Sequence, residues 1–250
     1  MEKLANQNQV SESYVHVPGQ TPFSHASFPD QLDGQAQKHP DREALVFWET
    51  AARRRSLSFG QWREKSLHLA AVFLRLSIRS QERRALLVAP NSLDYVVVVM
   101  ALARLGVNVI LLKYGTTSQE IDETMKKYRC NALIYQLSAG QEDPYQLRQD
   151  STDPASHEQH VIFITLGDVT SSSHEVHRYC DLTRCEVSEE EKARVLALQT
   201  EIQMEDALLA FMTSGSTGNP KAVQANHFQF VQATLTAYAA HRLTDSSRSV

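Results

Sequence analysis

The 250 residues suffice for one large domain or two small ones, and 42% hydrophobic with 22% charged residues is ordinary for a soluble globular chain. A formal net charge of −4 and a pI near 6.2 give no electrostatic basis for binding nucleic acid, and three cysteines, an odd number, argue against a disulfide framework and fit a reducing compartment. Met1 to Gln7 has neither the apolar run of a signal peptide nor the Arg-rich, acid-poor character of a transit peptide, so a cytoplasmic protein is expected.

Residues 1–24 are polar with scattered Pro and Gly and read as an irregular lead-in. Folded sequence starts near Phe28, with a short helix around Asp30 to Lys38 closed by His39-Pro40. Ala44 to Trp48 suits a strand and Ser56 to Ser58 its hairpin partner. Between them, Arg53-Arg54-Arg55 reads as a solvated turn rather than a phosphate-backbone contact. Ser58 with Gln61 has the form of a capping box, and behind it Trp62, Leu69, Phe73 and Leu76 share a helical face, with Ala70 beside them. Ala85 to Ala89 is an apolar strand ended by Pro90. Asn91 or Ser92 caps a helix to about Leu105 that Gly106 stops, and Val107 to Leu112 is the next strand. Tyr95 to Leu112 is apolar enough to suggest a membrane span. Arg104 interrupts it, and Gly106 and Asn108 divide it into a buried helix–strand pair, so no span is expected. Thr117 and Glu120 form another capping box for a helix through about Tyr128, and Ala132 to Tyr135 returns as a strand.

This alternation predicts an α/β fold, with a largely parallel sheet and flanking helices, whose ligand sites lie beyond the C-terminal ends of the strands. The first half reads as scaffold, without a catalytic constellation. Residues 138–160, rich in Gln, Asp, Ser and Pro, read as a long exposed loop. Val161 to Leu166 is a strand, Asp168 to Thr183 irregular, and Ser188 with Glu191 caps a helix to about Gln203. His174, His177, Cys180 and Cys185 raise the question of zinc. Their His-x2-His-x2-Cys-x4-Cys spacing matches no standard finger, and a polar surface loop is the expected reading.

The chemistry concentrates after the apolar strand Ala207 to Met212, in Thr213-Ser214-Gly215-Ser216-Thr217-Gly218-Asn219-Pro220-Lys221. Gly215 and Gly218 permit positive φ and leave no Cβ in the way, so successive backbone N–H groups can turn inward on an anion. The hydroxyls of Thr213, Ser214, Ser216 and Thr217 can donate hydrogen bonds or help hold Mg²⁺, and Lys221 adds a point charge for anionic oxygens. Every residue type suits a polyphosphate. It is not a Walker A loop, which needs Gly-Lys-Ser/Thr running directly into a helix. Here Asn219-Pro220 separate Gly218 from Lys221, and Ala222-Val223-Gln224 reads as a returning strand. The helix begins later, with Asn226 as cap, Gln229 at its third position, and Phe228, Val231, Leu235 and Tyr238 on one face. A hairpin tip is therefore expected to hold the phosphates.

Thr213 to Lys221 resembles the signature loop of the adenylate-forming (AMP-binding) superfamily, which includes the acyl-CoA synthetases, and meets each fixed position of its Thr-Ser-Gly-Ser/Thr-Thr-Gly-x-Pro-Lys pattern. His227 sits where that family often has a His, and a local structural role at the helix start is the favoured reading. His39-Pro40-Asp41-Arg42-Glu43-Ala44-Leu45-Val46 resembles the family's opening segment, and Pro90-Asn91-Ser92 its strand-to-helix junction. Ser13-Tyr14-Val15-His16 followed by Pro18 is most similar to the medium-chain acyl-CoA synthetase group, whose animal members are mitochondrial. Mitochondria are thus the alternative location. Two departures mark a diverged member: Arg79 to Arg84, where a Gly-Asp pair is usual, and Ala222, where Gly is usual.

The resemblance implies that residues 25–250 form part of an adenylate-forming N-terminal domain. It implies an ATP-dependent acid–thiol ligase that uses ATP, Mg²⁺ and CoA and activates a small-molecule carboxylic acid, fatty or other, as an acyl-adenylate. The family's adenine-binding, ribose-binding, hinge and C-terminal parts are not found in the sequence. No catalytic residue and no protein ligand for the metal is identified. A truncated, inactive portion is therefore expected, with the strand Ala207 to Met212 left uncovered and solubility poor. Two alternatives stay open: a non-catalytic nucleotide-binding or interaction protein derived from such an enzyme, and an adenylating enzyme with another acceptor.

Overall fold

The structure is a computed structural model that describes residues 22–79, 83–151, 160–167, 175–213 and 221–241. Its helices begin where the sequence offers a side-chain acceptor. α1 (Phe28–Lys38), α2 (Phe59–Arg75), α4 (Ser118–Tyr128), α7 (Glu189–Gln199) and α8 (His227–Ala240) each start on a complete capping box. The caps are Ser27 with Asp30, Ser58 with Gln61, Thr117 with Glu120, Ser188 with Glu191 and Asn226 with Gln229. In each, the cap side chain accepts the third residue's N–H and is answered by that residue's side chain on its own N–H. Ser92 caps α3 (Leu93–Arg104) by accepting from the Tyr95 N–H. Gly106, at φ +64, closes that helix: its own N–H reaches Ala103 O and the Val107 N–H reaches Leu102 O.

β1 (Glu43–Thr50) and β2 (Arg53–Ser58) form a separate antiparallel hairpin. The remaining strands are β3 (Arg84–Val88), β4 (Asn108–Leu111), β5 (Ala132–Tyr135), β6 (Ile162–Thr165), β7 (Val176–Arg178), β8 (Ala207–Thr213) and β9 (Lys221–Asn226). They make one sheet in the order β7-β6-β5-β3-β4-β8-β9, parallel throughout except for β9. β5 and β6 are buried along their whole length, as expected of a parallel sheet covered on both faces. One face, through Ala85, Leu87, Val109, Ile134 and Leu209, packs against Leu69 and Phe73 of α2, Val98 and Leu102 of α3 and Val195 of α7. The other, through Leu86, Val88, Ile110, Leu133 and Ala210, packs against Ile121 and Met125 of α4.

Arg104, 0% exposed, ties the first helical layer together. Its guanidinium donates to Asp33 (2.7 and 3.0 Å), Ser66 Oγ (3.0 Å) and Gln199 Oε1 (2.6 Å), joining α1, α2, α3 and α7. No helix among the described residues is long and apolar enough to cross a membrane.

Five local expectations need correction. The three arginines are not a turn. They are the first residues of β2, and the turn is Ala51-Ala52. Carboxylates on β1 make this possible, with Arg53 and Arg55 on Glu49 (2.9 and 2.8 Å) and Arg54 on Glu43 (2.8 Å). The segment read as an exposed loop contains α5 (Pro144–Gln149), whose Tyr145 and Arg148 are buried. Asp143 caps α5, the Tyr145 hydroxyl donates to Glu175 (2.6 Å), and Arg148 pairs with Asp122 (3.3 Å). The stretch read as irregular holds β7 and the single turn α6 (Tyr179–Leu182). α7 stops at Gln199 rather than near Gln203, because the Gln203 N–H is taken by the Asp206 carboxylate (2.9 Å). Finally, β8 is not the uncovered strand. β9 pairs along it and takes the edge position.

The candidate phosphate-binding hairpin

β8 has a neighbour on each side. β4 runs parallel to it, with Leu111 beside Phe211, and β9 runs antiparallel, with Met212 beside Ala222 and Thr213 beside Lys221. Thr213 and Lys221 therefore face each other across the mouth of the loop. The Thr213 hydroxyl braces that mouth by donating to the Lys221 carbonyl at 3.2 Å. Both residues are exposed, and Lys221 makes no ion pair among the described residues. Ser214, Gly215, Ser216, Thr217, Gly218, Asn219 and Pro220 lie outside the described residues. Because β8 runs with β3 to β7, the mouth opens at the C-terminal edge of the parallel strands, the edge where such sheets bind ligands. The chain leaves the loop as a strand, and α8 starts at the far end of β9, so the N-terminus of α8 does not point at the mouth.

The base of the hairpin is closed by the His227 N–H on Asp206 O (3.2 Å) and the Phe228 N–H on Met204 O (2.9 Å). His227 is wholly buried, and its Nδ1 accepts the Phe28 N–H at 3.2 Å. Burial lowers its imidazole pKa below the ordinary histidine value, against the opposing pull of Asp206 and Asp30. The helix-start role read from the sequence is present, but its partner lies 199 positions away, which no local signal indicates. α8 buries His227 and Val231, whereas Tyr238, expected on the same face, is 41% exposed.

Of the departures from the family pattern, residues 80–82 lie outside the described residues, while Ala222 and Arg79 make ordinary contacts. Ala222 pairs with Met212 and packs with it against the second apolar cluster. Arg79 donates to Leu105 O (3.1 Å) and pairs with Glu201 (3.0 Å). A second, open cleft of about 510 Å³ lies between the segments after β4 and β5. Its polar groups largely satisfy one another, Ser118 Oγ donating to Glu142 O and Gln141 Nε2 to Thr116 O. Of the residues that raised zinc, His174 lies outside the described residues. Cys180 and Cys185 donate to Asp181, and no group of three or more metal-ligating side chains occurs among the described residues.

A sequence model of the AMP-binding enzyme family matches residues 32–250, and the chain belongs to that family. Among its relatives, medium-chain acyl-CoA ligase ACSF2, mitochondrial, of Bos taurus is 26% identical over 208 residues, covering 80% of this chain and 33% of that protein. Acyl-CoA ligase SID4 of Ajellomyces capsulatus is 26% identical over 230 residues, covering 90% of this chain and 37% of its own length. Among solved structures, the long-chain-fatty-acid-CoA ligase FadD1 from Archaeoglobus fulgidus aligns with a TM-score of 0.63 at 20% identity, over 93% of this chain and 43% of its own. O-succinylbenzoate coenzyme A synthetase MenE from Bacillus subtilis, in complex with AMP, aligns with a TM-score of 0.63 at 18% identity, over 89% and 48%. These structural likenesses establish the fold. The chain spans about a third of the length of the relatives it matches.

Proposed function

We propose that this chain supplies the triphosphate grip of an ATP-dependent acid–thiol ligase of the acyl-CoA synthetase type. One observation carries the reading: in a member of the AMP-binding family, Thr213 to Lys221 is strung between the paired ends of β8 and β9 at the ligand edge of a parallel sheet. In the proposed reaction a carboxylate attacks the α-phosphate of ATP, and pyrophosphate leaves to give an acyl-adenylate. The thiol of CoA then displaces AMP to give a thioester. Backbone N–H groups of Gly215 to Gly218, the loop hydroxyls and Lys221 hold the β- and γ-phosphates, where negative charge builds as pyrophosphate departs. Mg²⁺ bound with ATP supplies further neutralisation of those oxygens.

The same reading assigns this chain the grip and not the whole cycle. Catalysis also requires the α-phosphate and the acid to be held in attack geometry, which accounts for about 7–11 kcal/mol of a barrier. A second reading, a nucleotide-binding protein without turnover, rests on the same grip.

Calorimetric titration with MgATP and with inorganic tripolyphosphate tests the grip. Tripolyphosphate is expected to compete with ATP. Lys221→Ala should weaken both ligands by about 1.5–3 kcal/mol, the value of a charge-assisted hydrogen bond. Gly215→Val should do more damage, since a β-branched side chain resists positive φ and blocks the phosphate. Unchanged affinities in both variants would remove the loop from phosphate binding. Formation of acyl-CoA from ATP, CoA and a fatty acid by the monomeric 250-residue protein would overturn the division of labour.

A further inference from the structure

We infer that His227 is a positioning residue: its Nδ1 ties the base of the β8–β9 hairpin, and with it the phosphate loop, to the entrance of α1. The inference rests on the reading of that hairpin as a triphosphate grip. β8 is held in the sheet by β4, but β9 is the edge strand and pairs only with β8 among the described residues. The backbone bonds from His227 to Asp206 and from Phe228 to Met204 fasten the hairpin to its own entry segment, not to the rest of the domain. Outward, side chains of β9 and α8 reach Asn108 of β4 (Gln224, 3.3 Å) and Ser24 O (Gln232, 2.8 Å), and the imidazole makes the bond that reaches α1 itself. It accepts from the N–H of Phe28, the first residue of α1, whose ring packs on Phe230 (4.9 Å) and on Trp62 of α2 (6.4 Å). α1 is in turn locked to α2, α3 and α7 through Asp33 and Arg104. The chain of contacts thus runs from the edge hairpin to the rigid helical layer.

Two details show that the acceptor is what the position requires. The Phe28 N–H belongs to the first turn of α1, where the helix itself offers no partner, so the donor needs an outside acceptor. Accepting at Nδ1 puts the ring proton on Nε2 in the neutral imidazole, and Nε2 is buried without a hydrogen-bond partner among the described residues. An apolar ring would pack there without that orphaned donor, so packing alone gives no reason for a histidine. The charged groups that bear on the imidazole are Asp206, ahead of β8, and Asp30 of α1.

Substitution separates this role from simple packing. The amide oxygen of Asn falls near the place of Nδ1, whereas Gln, closer to His in size, sends its amide toward the place of Nε2. His227→Asn is therefore expected to keep the tie, and His227→Gln and His227→Leu to lose it. Hydrogen–deuterium exchange should show the Phe28 amide opening about tenfold faster in the Gln and Leu variants than in the Asn variant. The amides of β9 and the tripolyphosphate affinity should follow the same order. Equal behaviour of Gln and Asn would overturn the inference, as would a folded Leu variant with unchanged β9 exchange and unchanged tripolyphosphate affinity. If the Leu variant does not fold, the Asn–Gln comparison decides. Wild-type protein that binds no tripolyphosphate defeats the functional reading instead, and the exchange order still tests the tie.

Discussion

Arg104 shows how a single residue carries information at two levels. In the sequence it breaks an apolar run and argues against a membrane span. In the fold it is the donor centre of a buried cluster whose acceptors come from positions 33, 66 and 199. Removing Arg104 leaves the acceptors of Ser66 and Gln199 without their donor, while Asp33 keeps Arg63 (3.2 Å) and Gln199 Nε2 (3.1 Å). Arg104→Met is therefore expected to cost about 3 kcal/mol in urea unfolding, the low end for a broken buried pair. The double variant Arg104→Met/Asp33→Asn should be less unstable than the sum of its single changes. Burial pushes the Asp33 carboxyl up, but the hydrogen bond and charge of Arg104 outweigh it, and the net shift is below the ordinary value of 3.8. A depressed carboxyl pKa contributes stability that is present above pH 3.8 and lost as the pH falls through the lower folded value. The stability gap between wild type and Arg104→Met should therefore narrow on acidification below pH 3.8.

Helix starts are the best-written elements of this chain. A capping box is complete within four consecutive residues, so Ser58-Gln61, Thr117-Glu120, Ser188-Glu191 and Asn226-Gln229 are all readable before any packing is known. Asn226→Ala should lower stability by about 1 kcal/mol, seen as a shifted urea midpoint with unchanged slope. A changed slope would mean that the hairpin base had opened as well. The elements that escape a sequence reading are short. α5 has 6 residues and β7 has 3, too few for either periodicity to repeat. The only local marks of α5 are its Asp143 cap and Pro144 at its start, and what holds it against the core is remote: Glu175 for Tyr145, Asp122 for Arg148, and the ring of Phe163 against Tyr145 (5.2 Å).

At the scale of the whole molecule the sheet is asymmetric. Its inner strands are buried, while β9 closes one side with an unpaired edge among the described residues. Leu111, Phe211 and Val223 align across β4, β8 and β9, and the last two are 43% and 54% exposed. An apolar row on an open edge favours association with other chains. Val223→Lys is expected to reduce concentration-dependent light scattering and to change stability by no more than about 0.5 kcal/mol. Undiminished scattering would show that the row is not the adhesive surface.

Contiguity in the chain decided what could be read early. The nine residues proposed to hold the phosphates follow one another, so their residue types, their distinction from a Walker A loop and their setting between two strands are all present in the sequence. The parallel α/β class follows from the same kind of local alternation. Strand order does not, because it depends on which buried faces match across the whole core. Only the tertiary structure sets β8 against β4 and makes β9 the edge. It also brings Phe28 to His227 and Asp33 to Arg104, since hydrogen bonds between residues 199 and 71 positions apart leave no periodic trace in the chain that makes them.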